Sequence, residues 1–208
     1  LKKYKVSTAL KQYLSQPLVD KNTLIKDIEF VVVDFETTGL DPNKDKIISI
    51  GYTIIKQLHL TQSSVHIVVN PDQDLHEESV SIHQLTDDEV SVGISINQAL
   101  DKLFEVIKGR VMIVHFDKVE KGFINCACQQ LYHFDRLPMR MLDTLKIENK
   151  RLMRKKGYIK PGGLRLYALR DQYNLPRYKA HNAMQDAIST AELFLAQSAY
   201  MDTPESIK

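Results

Sequence analysis

The sequence predicts an α/β domain in which a mixed sheet is covered by helices. Two observations carry this. Three apolar, β-branched runs follow one another through short connections, as the strands of an antiparallel meander do. Helical and strand-like patterns then alternate toward the C-terminus, so two further strands are spaced by helices. With 208 residues, 43% hydrophobic and 26% charged, the chain can bury a full core for one domain.

The elements follow in order. Residues 1–27 read as an N-terminal helical appendage, with helical spacing around Leu10, Tyr13 and Leu14. Residues 28–201 read as the main domain, and 202–208 as a loose polar tail. Phe30 to Asp34 is an unbroken apolar run closed by an acid, which suits a central strand. Lys46–Gln57 and Ser64–Pro71 supply the next two strands. Ser95 is placed to cap a helix with apolar positions Ile96, Leu100, Leu103, Phe104 and Ile107, and Gly109 stops it. Arg110–His115 is a short buried strand, Glu120–Leu131 a helix and "MRMLDTL" a brief last strand. A short helix follows the Gly162–Gly163 loop. The last helix spans about Asn182–Met201, with a face of Ala183, Ala187, Ala191, Phe194 and Ser198 that can lie close to a sheet.

Composition narrows the function. No apolar run approaches the ~20 residues that span a bilayer, and the N-terminus lacks the apolar core of a secretory signal. The chain starts at Leu1 rather than Met, which leaves targeting upstream open. Cys126 and Cys128 make no disulfide framework and read as reduced thiols of a cytoplasmic protein. Net charge is only +2, but Lys146–Arg170 holds nine Lys or Arg against one acid, Glu148. Such a run is a solvated face or a surface that tracks phosphates.

The stretch "FVVVDFETTGL" ends the most apolar strand with two like charges. Residues two apart on a strand share a face, so Asp34 and Glu36 converge at its C-terminal end. Two carboxylates held together without a cation force one pKa up, and a hard divalent ion removes that cost. Gly39 lets backbone approach a ligand, with nearby N–H groups suited to phosphate. "HNAMQD" supplies His181 and Asp186. If both lay mid-helix they would diverge by about 140°. His181 therefore belongs in the loop before the helix, with Asp186 one turn in and facing the sheet. Alone, each motif is equally compatible with solvated acids in turns.

Together, D-F-E-T-T-G-L and H-x-A-x-x-D-A resemble the DEDDh branch of the DEDD 3′–5′ exonucleases, the epsilon subunit of DNA polymerase III above all. "IISIG", "SIHQLTDDEV" (with Gln84 where Gly is usual), "LDTL" and "LRLYALRDQYNL" extend the resemblance over about Asp27–Ser198. One segment departs. The family's H-N-x-x-F-D-x-x-F-L is "HFDKVEKGFI" here, so Val119 replaces Phe and Glu120 replaces Asp. Asp117 lies nearby, but using it breaks the register with Phe123.

The resemblance implies a ribonuclease H-like mixed five-stranded sheet, three antiparallel strands then two parallel, flanked by helices. It implies two divalent ions, Mg²⁺ or Mn²⁺, held by Asp34, Glu36, Asp186 and Glu120, and His181 as general base for the attacking water. Thr37, Thr38, Gly39, Leu40, His83, Phe123 and His181 become candidate substrate contacts, with core packing the alternative for His83 and Phe123. Lys155, Lys156, Lys160 and Arg165 become candidates to track the incoming strand. The expected activity is removal of nucleoside monophosphates from single-stranded 3′ ends, DNA favoured. RNA exonuclease, a nucleic-acid-binding module with a site spoiled by Glu120, and a ribonuclease H-like endonuclease are the alternatives. A protein partner would dock through the appendage, and no membrane is involved.

Overall fold

The computed structural model describes residues 6–71, 90–179 and 181–200. The N-terminal helix α1 (Thr8–Leu14) starts at Ser7, whose hydroxyl accepts from Leu10 N. Strands β1 (Phe30–Thr37), β2 (Ile47–Lys56) and β3 (His59–Asn70) form the antiparallel meander. The short β4 (Ile94–Ser95) leads into α2 (Ile96–Ile107), which Ser95 and Gln98 start with a capping box. Then come β5 (Val111–Val114), α3 (Lys118–Tyr132), β6 (Met141–Asp143), α4 (Thr144–Lys156), α5 (Leu166–Gln172) and α6 (Ala183–Ala199).

Six strands run in the order β4-β3-β2-β1-β5-β6. β5 is parallel to β1 and β6 to β5, as the sequence predicts. The sixth strand is the addition: Ile94 and Ser95 pair in parallel with Val69 and Asn70 at the sheet edge. Two residues are too short a run to show any alternation in the sequence. β3 also starts earlier than expected. Gln57 and Leu58 both take left-handed backbone, with φ of 50° and 59°, and make a two-residue turn. The polar stretch from His59 thus becomes hairpin rather than loop.

The two faces of β1 separate the core. Val31, Val33 and Phe35 face α1, α2 and α3, packing with Leu10, Leu100, Phe104 and Ile124. Phe30 and Val32 face α6, where the Phe30 and Phe194 rings lie 5.1 Å apart. The N-terminal helix is anchored to the domain: Ala9, Leu10 and Tyr13 are buried, and the Tyr13 hydroxyl donates to Pro138 O at 2.6 Å.

α4 is a helix that the basic run conceals. Its inner positions are Thr144, Glu148 and Leu152, and Glu148 is fully buried. The Glu148 carboxylate accepts from Arg151, Tyr173 Oη (2.7 Å) and Gln197 Nε2 (3.1 Å), which satisfies the buried charge.

Candidate functional site

The alternation of β1 sets the site. Asp34 and Glu36 share the face of Phe30 and Val32, so they point toward α6. Asp34 pairs across the ladder with Gly51 of β2. A Cβ at Gly51 would lie 2.0 Å from the Ala183 carbonyl carbon and 2.1 Å from Met184 N. Only a bare backbone lets the first turn of α6 rest there. Asn182 caps that turn by accepting from Gln185 N at 3.1 Å, and Asp186 sits within it. The close approach brings α6 down beside Asp34. Carboxylate oxygens of Asp34, Glu36 and Asp186 all lie within 4.8 Å of one another.

Glu120, in the first turn of α3, joins them from the other side of β1 in the sequence. Its charge is the strongest neighbouring influence on Asp34 after burial, ahead of Asp186 and Glu36. Burial and these three charges hold the Asp34 proton affinity well above the carboxylate range. Burial pushes Glu120 up to about 8; its own backbone N–H partly offsets this, and Asp143 and Asp117 add to it. Asp186 is raised by burial, against the hydrogen bonds from Tyr167 and from His181 N at 3.0 Å. The buried Oε2 of Glu120 has no hydrogen-bond partner among the described residues.

Such a cluster is costly unless protonated or neutralised. Its donors are all hard carboxylate oxygens, the set that suits Mg²⁺ or Mn²⁺. The residues therefore fit a divalent cation. Glu120 is not one of the three acids that meet within 4.8 Å, but its charge reaches Asp34. Asp117 is engaged elsewhere, with Lys146 Nζ 2.6 Å from its Oδ1.

His181 is exposed and has left-handed backbone, φ 67°, immediately before the Asn182 cap. The segment leading to it is tied down from behind. Buried Arg170 donates to Pro176 O and Ser189 O, both at 2.6 Å, and to Glu192 at 2.8 Å, while Tyr178 Oη donates to Glu192.

Beyond β1, Thr37 Oγ1 donates to Gly39 O (2.7 Å), and Thr38 Oγ1 accepts from Lys46 N (3.0 Å). A Cβ on Gly39 would lie 2.5 Å from the Asp45 carboxylate, which itself accepts from Asp41 N. Leu40 projects from this turn, 78% exposed. Phe123 is buried in the core at 3% exposure, so packing is the role it fills here. His83, with most of "SIHQLTDDEV", lies outside the described residues. Lys155, Lys160 and Arg165 are exposed; the Lys156 side chain is outside the description.

Three positioning residues had no individual signal in the sequence: Gly51, Tyr167 and Asp143. Asp143 Oδ1 accepts from Phe116 N (3.0 Å) and Leu145 N (2.9 Å), and its Oδ2 from Asp117 N (3.1 Å). One carboxylate thus caps α4 and holds the loop that enters α3 and Glu120. His115 closes the same loop, with Nδ1 2.7 Å from Thr144 Oγ1 and Nε2 3.0 Å from Leu164 O.

The chain is similar to several known proteins in sequence and fold. The 3′-5′ exonuclease DinG of Staphylococcus epidermidis is 26% identical over 183 residues, covering 86% of this chain but only 19% of DinG. The DNA polymerase III epsilon subunit of Buchnera aphidicola subsp. Schizaphis graminum is 26% identical over 181 residues, covering 81% of this chain and 74% of the subunit. The nuclease domain of 3'hExo, a DEDDh family member bound to rAMP, superposes with a TM-score of 0.72 at 16% identity, over 88% of this chain and 97% of that domain. The fold is thus ribonuclease H-like. Residues 31–194, nearly the whole domain, match the RNase T exonuclease family, and the chain belongs to it.

Proposed function

We propose that the protein is a DEDDh-type, metal-dependent 3′–5′ exonuclease that releases nucleoside monophosphates from single-stranded 3′ ends, with DNA favoured. The observation that carries this is the meeting of Asp34, Glu36 and Asp186 within 4.8 Å, with buried Glu120 coupled to the same centre. Asp34, Glu36, Asp186 and Glu120 would hold two divalent ions, Mg²⁺ or Mn²⁺. When bound, such ions neutralise charge on the scissile phosphate and on the leaving 3′ oxygen.

The chain's own groups do the rest. His181, exposed beside Asp186, takes a proton from the attacking water as general base. The water oxygen bonds to the terminal phosphorus, the bond to the preceding 3′ oxygen breaks, that oxygen takes up a proton from solvent, and a monophosphate leaves. Thr37, Thr38 and Gly39 offer backbone and hydroxyl groups to the terminal nucleotide. Leu40, exposed at the turn, offers an apolar wedge, and His83 completes the contact set. Similarity to a DNA polymerase III epsilon subunit supports DNA as the first reading. That 3'hExo binds rAMP supports RNA as the second reading.

The test is digestion of 5′-labelled single-stranded DNA and RNA with Mn²⁺ or with EDTA. Stepwise 3′ shortening is expected only with metal, and Asp34→Asn should abolish it. Binding without shortening would favour a non-catalytic module, and internal cuts an endonuclease.

A further inference from the structure

An open groove of about 830 Å³ lies between the loop after β5, the outer side of α4 and the α4–α5 connection. Its walls are mostly apolar. Phe116, Met153 and Tyr158 are 41%, 48% and 67% exposed, large values for such side chains. Lys160 and Arg165 stand in the same lining, and among the described residues no acid lines the groove.

Phe116 is the unusual residue. Its φ is 83°, a left-handed conformation that bulky side chains rarely adopt. The Asp143 carboxylate holds it there by accepting its N–H and that of Asp117. An aromatic ring is thus kept in a strained pose and partly in water, which neither packing nor the loop requires; Gly would serve the backbone better. Lys118 Nζ lies 5.9 Å from the ring centroid.

Two segments that line the groove also lead to the acidic centre. Phe116 and Glu120 belong to one loop and helix start. Leu166 lines the groove, and its neighbour Tyr167 donates to Asp186. A polymer whose 3′ end lies at the carboxylates has this groove within reach of its preceding residues.

We propose that this groove is a stacking subsite for the bases of the incoming single strand, upstream of the scissile bond. Phe116 and Tyr158 offer ring faces, and Lys160 and Arg165 meet the phosphates. Exposed aromatics beside cations are how single strands are held without sequence readout. An acidic peptide could also meet the cations and apolar walls, but paired ring faces beside cations, next to a site for a phosphodiester end, favour a nucleic acid strand as the occupant. The proposal rests on the nuclease reading for the strand's direction, not for its presence.

The experiment separates the two. Phe116→Gly relieves the backbone and is combined with Tyr158→Ala; an unchanged melting temperature separates loss of function from loss of fold. Affinity for a fluorescent single-stranded oligonucleotide is measured by anisotropy in EDTA. Turnover with Mn²⁺ is compared on that oligonucleotide and on the p-nitrophenyl ester of thymidine 5′-monophosphate, which has no upstream base. The double variant should bind the oligonucleotide at least tenfold more weakly. Its kcat/KM should fall about tenfold more on the oligonucleotide than on the ester. Unchanged affinity, or equal losses on both substrates, overturns the subsite whatever the catalysis. A wild-type protein that binds the strand through these rings but turns over neither substrate overturns the nuclease reading and leaves the subsite standing.

Discussion

Glu120 occupies a position where an unpaired charge is expensive, and its raised pKa has a sign that can be measured. The folded state binds its proton more tightly than the unfolded chain does, about 8 against the ordinary 4.5. Its contribution to stability is full below the unfolded value and is lost as pH rises through about 8. In EDTA, the melting temperature should therefore fall across that window. Glu120→Gln, which mimics the protonated acid, should flatten the fall; an identical pH profile would show that Glu120 is not the titrating group. His181 is a different case, exposed and catalytic by proposal. Asn tolerates the left-handed backbone, so His181→Asn should melt like the native protein while turnover drops by about 10²–10⁴-fold. Native rates in that variant would move the general base elsewhere. Asp34, Glu36 and Asp186, which meet in the structure, could be singled out because their residue types and spacing carry chemistry. Tyr167 and Asp143 were not, since each acts through a contact between segments far apart in sequence.

At the scale of elements, the decisive contact is β2 against the first turn of α6. Gly51→Ala places a methyl where the Ala183 and Met184 backbone now lies. The helix must lift, and overpacking of this kind costs about 1–3 kcal/mol. Both melting temperature and turnover should fall, the latter by more than the stability loss explains, because Asp186 moves with the helix. A variant with native values in both would refute the close-packing account. The strands and the amphipathic α2 were legible because their apolar periodicity is plain. α4 was hidden because its buried face carries Glu148, which breaks the pattern that marks a helix; its partners Tyr173 and Gln197 become visible only in three dimensions. The early start of β3 was hidden because a Gln-Leu turn lacks the usual Asn-Gly signal.

For the whole molecule, a cation should act as structural glue as well as a reagent. The carboxylates repel one another across the junction of β1, α3 and α6, so a divalent ion that binds only the folded form must stabilise it. At a hundredfold excess over its Kd, Mn²⁺ should raise the melting temperature by about 5–10 °C. Asp34→Asn should remove most of that rise; a rise of equal size in the variant would place the ion elsewhere. The mixed-sheet architecture was legible from the order of strands and helices, while the meeting of distant acids was legible only through the family resemblance. The junction has one further consequence. A ribosome-bound fragment that stops short of Asp186 carries only part of the acid set and none of the helix that presses it onto the sheet. Whatever these acids do as a set cannot begin until the chain has been made through this helix.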